Sequence, residues 1–118
     1  MRKKIMVVDD DPEILDMLEM MLEETGYEVE PHGQGQTVLQ MQKPYPDLVL
    51  LDILLSGMDG RAVCQQLKSQ EETRCIPIIL LSAHTDAQQS IRDAGANDFL
   101  AKPFEMTDLL ELIEKYLA

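Results

Sequence analysis

Tryptophan is missing from the chain, and three tyrosines and two phenylalanines are its whole aromatic complement. A flat cofactor such as an isoalloxazine would find few loop aromatics to stack on, which disfavours a flavin-binding role. Cysteine is scarcer still. Cys64 and Cys75 stand eleven positions apart, outside any CxxC pair or Cys/His cluster, so neither a zinc site nor a redox dithiol is supported. His32 and His84 likewise have no second imidazole or thiolate at ligand spacing. Positive charge is short as well: ten Lys and Arg face 22 acidic residues, for a formal charge of −12. Such a surface repels phosphate backbones and anionic membranes, so direct nucleic-acid binding by this chain is not expected, whereas cations and basic partner surfaces are favoured. The longest apolar runs, such as Leu48–Leu51 and Ile78–Leu81, are strand-length rather than bilayer-length. The start MRKKIMVV has neither an extended apolar region nor a small-residue cleavage site, which makes a cytoplasmic location the expectation.

What is present suits one globular domain over 1–118: 45% hydrophobic and 27% charged residues, with no low-complexity tract and no repeat period. Short apolar runs alternate with longer amphipathic ones along the chain. Ile5–Val8 reads as a buried strand, and Asp11-Pro12 opens a helix with Asp as N-cap and Pro in the first turn. Ile14, Leu15, Leu18, Met21 and Leu22 follow at helical spacing until Thr25-Gly26. A weaker strand, Tyr27–Glu30, leads through His32 to Gly35 into a short helix around Gln36–Gln42, with Pro44 and Pro46 beyond it. Then come the strand Leu48–Leu51, the loop ILLSGMDG, a helix from about Arg61 to Lys68, the strand Ile76–Leu81 and a helix around Asp86–Ala94. A short strand Asp98–Leu100 and a last helix from about Glu105 to Leu117, striped by Met106, Leu109, Leu110, Ile113 and Leu117, complete the series. Alternation of this kind implies an α/β fold of the flavodoxin-like, doubly wound (βα)5 type. Its sheet would be five-stranded and parallel, of order 2-1-3-4-5, with helices on both faces.

In such sheets ligands bind outside the carboxyl ends of the strands, near the point where strand order reverses. Asp9 and Asp10 end the first strand, Asp52 the third and Ser82 the fourth, while Lys102 follows the fifth. Three adjacent carboxylates in MVVDDDPE would repel one another unless solvent disperses them or a cation binds. Asp9, Asp10 and Asp52 form a hard, oxygen-only ligand set suited to Mg2+, with Mn2+ a second candidate. Beside a metal and Lys102, Asp52 could act as a nucleophile toward phosphorus while Ser82 donates a hydrogen bond. Asp11 and Asp59 read simply as helix caps, and the eight methionines as core packing.

The set MVVDDDPE, LVLLDILLSGMDG, IILLSAH and FLAKPF, in this order and spacing, resembles the receiver domain of two-component response regulators over essentially the whole chain. The resemblance implies a phosphorylation-controlled signalling switch rather than an enzyme in the ordinary sense, though with intrinsic autophosphorylation and autodephosphorylation. It implies Asp52 as phosphoacceptor, Asp9, Asp10, Asp52 and the backbone carbonyl of Leu54 around Mg2+, and Ser82 and Lys102 as phosphoryl sensors. By the same resemblance Lys102-Pro103 is a cis peptide and Phe99 an aromatic that changes rotamer on activation, besides packing in the core. The phosphodonor would be a histidine kinase or a phosphotransfer protein docking on the first helix, where Glu19, Glu23 and Glu24 form either a solvated face or a contact for a basic partner. The fourth helix, fifth strand and fifth helix, with Gln88, Gln89, Arg92, Asp98, Lys102 and Glu105, would form the output face. The chain would act as a stand-alone monomer, as a phosphorylation-promoted dimer, or as part of a larger regulator.

Two rival readings remain, an enzyme and a binding module. A phosphatase of the haloacid dehalogenase type also uses a strand-end Asp, but in an Asp-x-Asp pattern, whereas Ile53 and Leu54 follow Asp52 here. A pseudo-receiver that only binds protein conflicts with the intact Asp9, Asp10, Asp52, Ser82 and Lys102 set. Against the commonest pattern of the family, Ser56 replaces a loop proline and Ser82 a threonine. Leu54 and His84 occupy the positions that, by resemblance, govern attack of water on the phosphoryl group. An apolar Leu54 and a bulky His84 would hinder that water, so slow autodephosphorylation is expected; a rate equal to that of the fastest receivers would overturn this.

Overall fold

The computed structural model describes residues 2–55, 57–83 and 92–117. Its main sheet contains β1 (Lys4–Val8), β2 (Glu28–His32), β3 (Leu48–Asp52), β6 (Ile78–Ser82) and β7 (Asp98–Ala101), in the order β2-β1-β3-β6-β7 and parallel throughout. This is the expected 2-1-3-4-5 order once the two short strands β4 (Leu54–Leu55) and β5 (Met58–Asp59) are set aside. The helices described are α1 (Pro12–Glu24), α2 (Gly35–Leu39), α3 (Gly60–Ser69) and α4 (Met106–Leu117). The helix expected around Asp86–Ala94 lies largely outside the described residues, as do Ser56, His84, Gln88 and Gln89.

Successive strand residues face opposite ways, so continuous apolar runs feed two cores at once. Met6 and Val8, Val49 and Leu51, Ile78 and Leu80 pack with Val38 of α2 and with Val63, Cys64 and Leu67 of α3. Ile5 and Val7, Leu48 and Leu50, Ile79 and Leu81 pack with Leu18 and Leu22 of α1 and with Leu109 and Ile113 of α4. Cys64 is thus a packing residue: burial pushes its thiol up to about 11. Cys75 is exposed, and both thiols are free. Among the described residues no helix is long and apolar enough to cross a membrane.

Several boundaries differ from those read from sequence. The loop ILLSGMDG contains the antiparallel pair β4–β5, turned by Gly57 at φ 72°. Strand β2 runs on through Pro31 and His32, because the sheet edge tolerates a residue without an N–H. Helix α2 stops at Leu39 rather than Gln42, its last turn tightening into bonds from Gln40 N to Thr37 O and from Met41 N to Val38 O. Strand β6 starts at Ile78 rather than Ile76: Pro77 has no amide hydrogen to donate and enters the ladder only through its carbonyl, which accepts from Val49. The Lys102-Pro103 peptide is cis, as the resemblance implies.

At the start of α1 the Asp11 side chain accepts from the Glu13 N–H at 3.0 Å, and Pro12 opens the helix. Asp11→Ala is expected to lower stability by about 1 kcal/mol in urea unfolding. Mg2+ affinity, measured calorimetrically, should stay close to the parent's, since the Asp11 side chain only caps and its N–H on Asp9 is kept in the variant.

Candidate functional site

Four side chains and the Ser82 backbone meet at the carboxyl edge of the sheet, drawn from the ends of four strands. Asp9 lies one residue past β1, its N–H extending the ladder to His32 O at 3.1 Å. Its carboxylate is 1% exposed, yet both oxygens are engaged: one accepts the Asp11 N–H at 2.9 Å, the other the Lys102 ammonium at 3.1 Å. Asp52, the last residue of β3, is held between strands where Ile53 N donates to Leu81 O at 3.0 Å. Lys102 Nζ stands 3.3 Å from Asp52 Oδ2. Ser82 closes β6, is buried, and accepts the Lys102 N–H on its carbonyl at 2.7 Å. Asp10 is exposed at the mouth.

Charge at this edge is balanced unevenly. Burial raises the Asp52 pKa above the ordinary 3.8; Lys102 opposes that shift, the Asp9 charge adds to it, and the Leu54 N–H bonded to the carboxylate opposes it again. Burial pulls Lys102 downward, but the Asp9 hydrogen bond and the charges of Asp52 and Asp9 outweigh it, leaving its pKa raised and the ammonium form held. One lysine therefore serves two largely buried carboxylates, with a third acid at the mouth. Ligand atoms of Asp9, Asp10 and Asp52 lie within 4.8 Å of one another, and all are carboxylate oxygens. That set fits a hard divalent cation, and a second positive centre would relieve the excess negative charge.

A family model described as the response regulator receiver domain matches residues 5–114. The chain belongs to the response regulator receiver domain family. Among curated relatives, the DNA-binding dual master transcriptional regulator RpaA of Synechocystis is 38% identical over 97% of this chain and 48% of its own length. The chain spans about half the length of the first curated relatives it matches. Among solved structures, one from Chloroflexus aurantiacus assigned to the response regulators superposes with a TM-score of 0.93 at 36% identity, covering 99% of this chain and 98% of that one. The response regulator TrrA of Thermotoga maritima, solved with Mg2+-BeF, gives a TM-score of 0.87 at 31% identity over 97% and 98% of the two chains. Receiver domains are signalling proteins, and the family binds Mg2+ at an acidic pocket of this kind.

Of the residues singled out in the sequence, Asp9, Asp10, Asp52 and Lys102 come together at this edge, with Ser82 adjoining through the backbone. Leu54 lies beside them, its N–H on Asp52 and its side chain 58% exposed. Phe99 is half-buried against the core on the α2–α3 face. Asp98, expected on the output face, is engaged by Tyr116 Oη at 2.9 Å and by Lys115 at 3.6 Å. Sequence reading missed an apolar cavity of about 380 Å3 beside Lys102, lined by Ile14, Met17, Ala83, Pro103 and Phe104. Its signal was Met17; Met17 and Met20 lie off the buried stripe of α1, 41% and 57% exposed, and so depart from the core packing expected of the methionines.

Because the Asp52 pKa is raised on folding, stability is lost as pH climbs from the ordinary 3.8 through the folded value. Asp52→Asn is therefore expected to melt higher than the parent at pH 7, with the gap closing below about pH 4. Mg2+ at about a hundred times its Kd should stabilise the parent by about 2.7 kcal/mol and Asp52→Asn by much less. Thermal scans across pH, with and without Mg2+, check both outcomes.

Proposed function

We infer that this chain is a phosphorylation-dependent switch whose phosphoacceptor is Asp52. The observation that carries the reading is the placement of a buried carboxylate 3.3 Å from a lysine and within reach of two further acids. Asp9, Asp10 and Asp52, with the Leu54 carbonyl, would hold Mg2+. Bound there, the ion supplies positive charge to the oxygens of a phosphoryl group in transfer. An Asp52 carboxylate oxygen attacks phosphorus, and the bond from phosphorus to the donor nitrogen or oxygen breaks, its electron pair leaving with the donor. Lys102 turns from the carboxylates to the new phosphoryl oxygens, and the Ser82 hydroxyl donates to the same group. Since the Lys102 N–H is bonded to Ser82 O, movement at either end is passed to the other. Phe99, one position along β7 from Asp98 and packed against the inner core, would transmit that change to the output face. Hydrolysis of the aspartyl phosphate returns the switch to rest.

The donor is a histidine kinase or a phosphotransfer protein. Its landing place is the cavity between Met17 of α1 and Phe104, which opens beside Lys102. Exposed Glu13, Asp16, Glu23 and Glu24 surround Met17 and Met20 on α1, so an apolar helix face with basic flanks would complement it. The output is a partner protein or a further domain. DNA-binding regulators among the relatives favour transcriptional control, with the nucleic acid contacted elsewhere than on this acidic chain. A cytoplasmic setting follows from the same reading.

Incubation with acetyl phosphate and Mg2+ should add one phosphoryl group by intact mass. The gain should vanish in Asp52→Asn and on chelation. Absence of labelling, under conditions where calorimetry registers Mg2+ binding, would favour a pseudo-receiver. Sustained turnover of p-nitrophenyl phosphate would favour the phosphatase.

A further inference from the structure

We propose that Gly60 is a positioning residue of the phosphoacceptor site, acting because it has no side chain. A Cβ at this buried residue would overlap the carbonyl oxygen of Asp52 and come within 2.9 Å of Ile53 Cα and 3.0 Å of the Asp52 carbonyl carbon. All three atoms are backbone, and they belong to the phosphoacceptor itself and to the residue after it. The first residue of α3 is thus seated directly on the end of β3, and the Gly60 N–H donates to Ile53 O at 2.7 Å. Between these two points the chain makes the β4–β5 hairpin, with Leu54 opposite Asp59 and Leu55 opposite Met58. Gly60 therefore closes the base of a small clasp. One side of that clasp carries Asp52; its first turn carries Leu54, whose N–H is bonded to the Asp52 carboxylate.

Neither neighbour of Gly60 can yield easily to an added methyl group. Strand β3 is paired on both sides, with β1 and with β6. Helix α3 is anchored in the core by Val63, Cys64 and Leu67, and Lys68 on the same helix donates to Arg74 O, Ile76 O and Asn97 Oδ1 at 3.2, 2.8 and 2.7 Å. What remains to move is the clasp, and with it the Leu54 backbone and the set of the Asp52 carboxylate. The absence of a Cβ is thus a requirement of site geometry as well as of packing.

Gly35 supplies the control. A Cβ there would also be crowded, but by the Met58 Sδ at 2.9 Å, Leu55 Cδ1 at 3.0 Å and Val63 Cγ2 at 3.1 Å, all side-chain ends that can shift. Gly35→Ala disturbs the same hairpin from outside without pressing on the phosphoacceptor's backbone. The comparison of the two variants separates loss of packing from loss of site geometry.

The inference rests on Asp52 being the phosphoacceptor, which labelling of the parent chain tests by itself. Given labelling, the Mg2+ Kd by calorimetry and the rate of acetyl phosphate labelling at saturating Mg2+ are measured for Gly60→Ala and Gly35→Ala below their melting temperatures. Expected is a loss of Mg2+ affinity of about tenfold or more in Gly60→Ala, the size typical when a metal site loses its supporting contacts. Gly35→Ala should stay within about twofold of the parent even if its melting temperature falls as far. A folded Gly60→Ala with parental Kd and rate overturns the proposal, and so does an equal loss in Gly35→Ala. Should Gly60→Ala not fold, hydrogen exchange of the parent decides: Mg2+ should slow the Gly60 and Leu54 amides together, and an unchanged Gly60 amide overturns the proposal.

Discussion

Lys102 reaches across 93 positions of chain to lie 3.1 Å from Asp9 and 3.3 Å from Asp52, joining the outer end of the sheet to its centre. Two carboxylates taken out of water beside one ammonium are costly unless the geometry of all three is held by other bonds. The surrounding backbone does this: Asp11 N–H serves one Asp9 oxygen, Leu54 N–H serves Asp52, and the Lys102 N–H is tied to Ser82 O. The site is stable enough to persist and charged enough to want a cation. That residual charge suits the edge to a divalent cation, which would supply the positive charge the resting arrangement lacks.

The fold serves this edge and is otherwise economical. Alternation along β1, β3 and β6 sends apolar side chains into two cores, so the central strands are immobilised from both faces while polar side chains gather at their carboxyl ends, with Asp10 exposed at the mouth. Asp52 follows Leu48 and Leu50 in parity and is placed by the same register that buries them. Stability and function are thus set by one pairing pattern, and a slip of register that exposed the core would also dismantle the acidic site.

Much of this was legible from residue order. Asp11-Pro12 marked the start of α1 because a side-chain cap and a missing N–H are local needs, and the structure has both. Asp59 was read as a cap and accepts the Arg61 N–H at 2.8 Å. The apolar stripe of α4 packs where its spacing placed it, with Leu109 and Ile113 fully buried. Less was legible where distant groups compete with local preference. The ends of β2 and β6 depend on which backbone donors their neighbours leave free, and the β4–β5 hairpin lies in a stretch that reads as an ordinary turn-rich loop.

Sequence alone determined the element order, the parallel sheet and the residue types available for chemistry at its carboxyl edge, since periodicity, caps and strand-end acids are local properties of the chain. Tertiary structure alone decided which acid is buried and which is exposed, that one lysine serves both Asp9 and Asp52, and that Gly60 leaves no room for a side chain against the Asp52 carbonyl. Those outcomes depend on distances between segments remote in the chain and on solvent excluded by packing, which no local pattern of residues encodes.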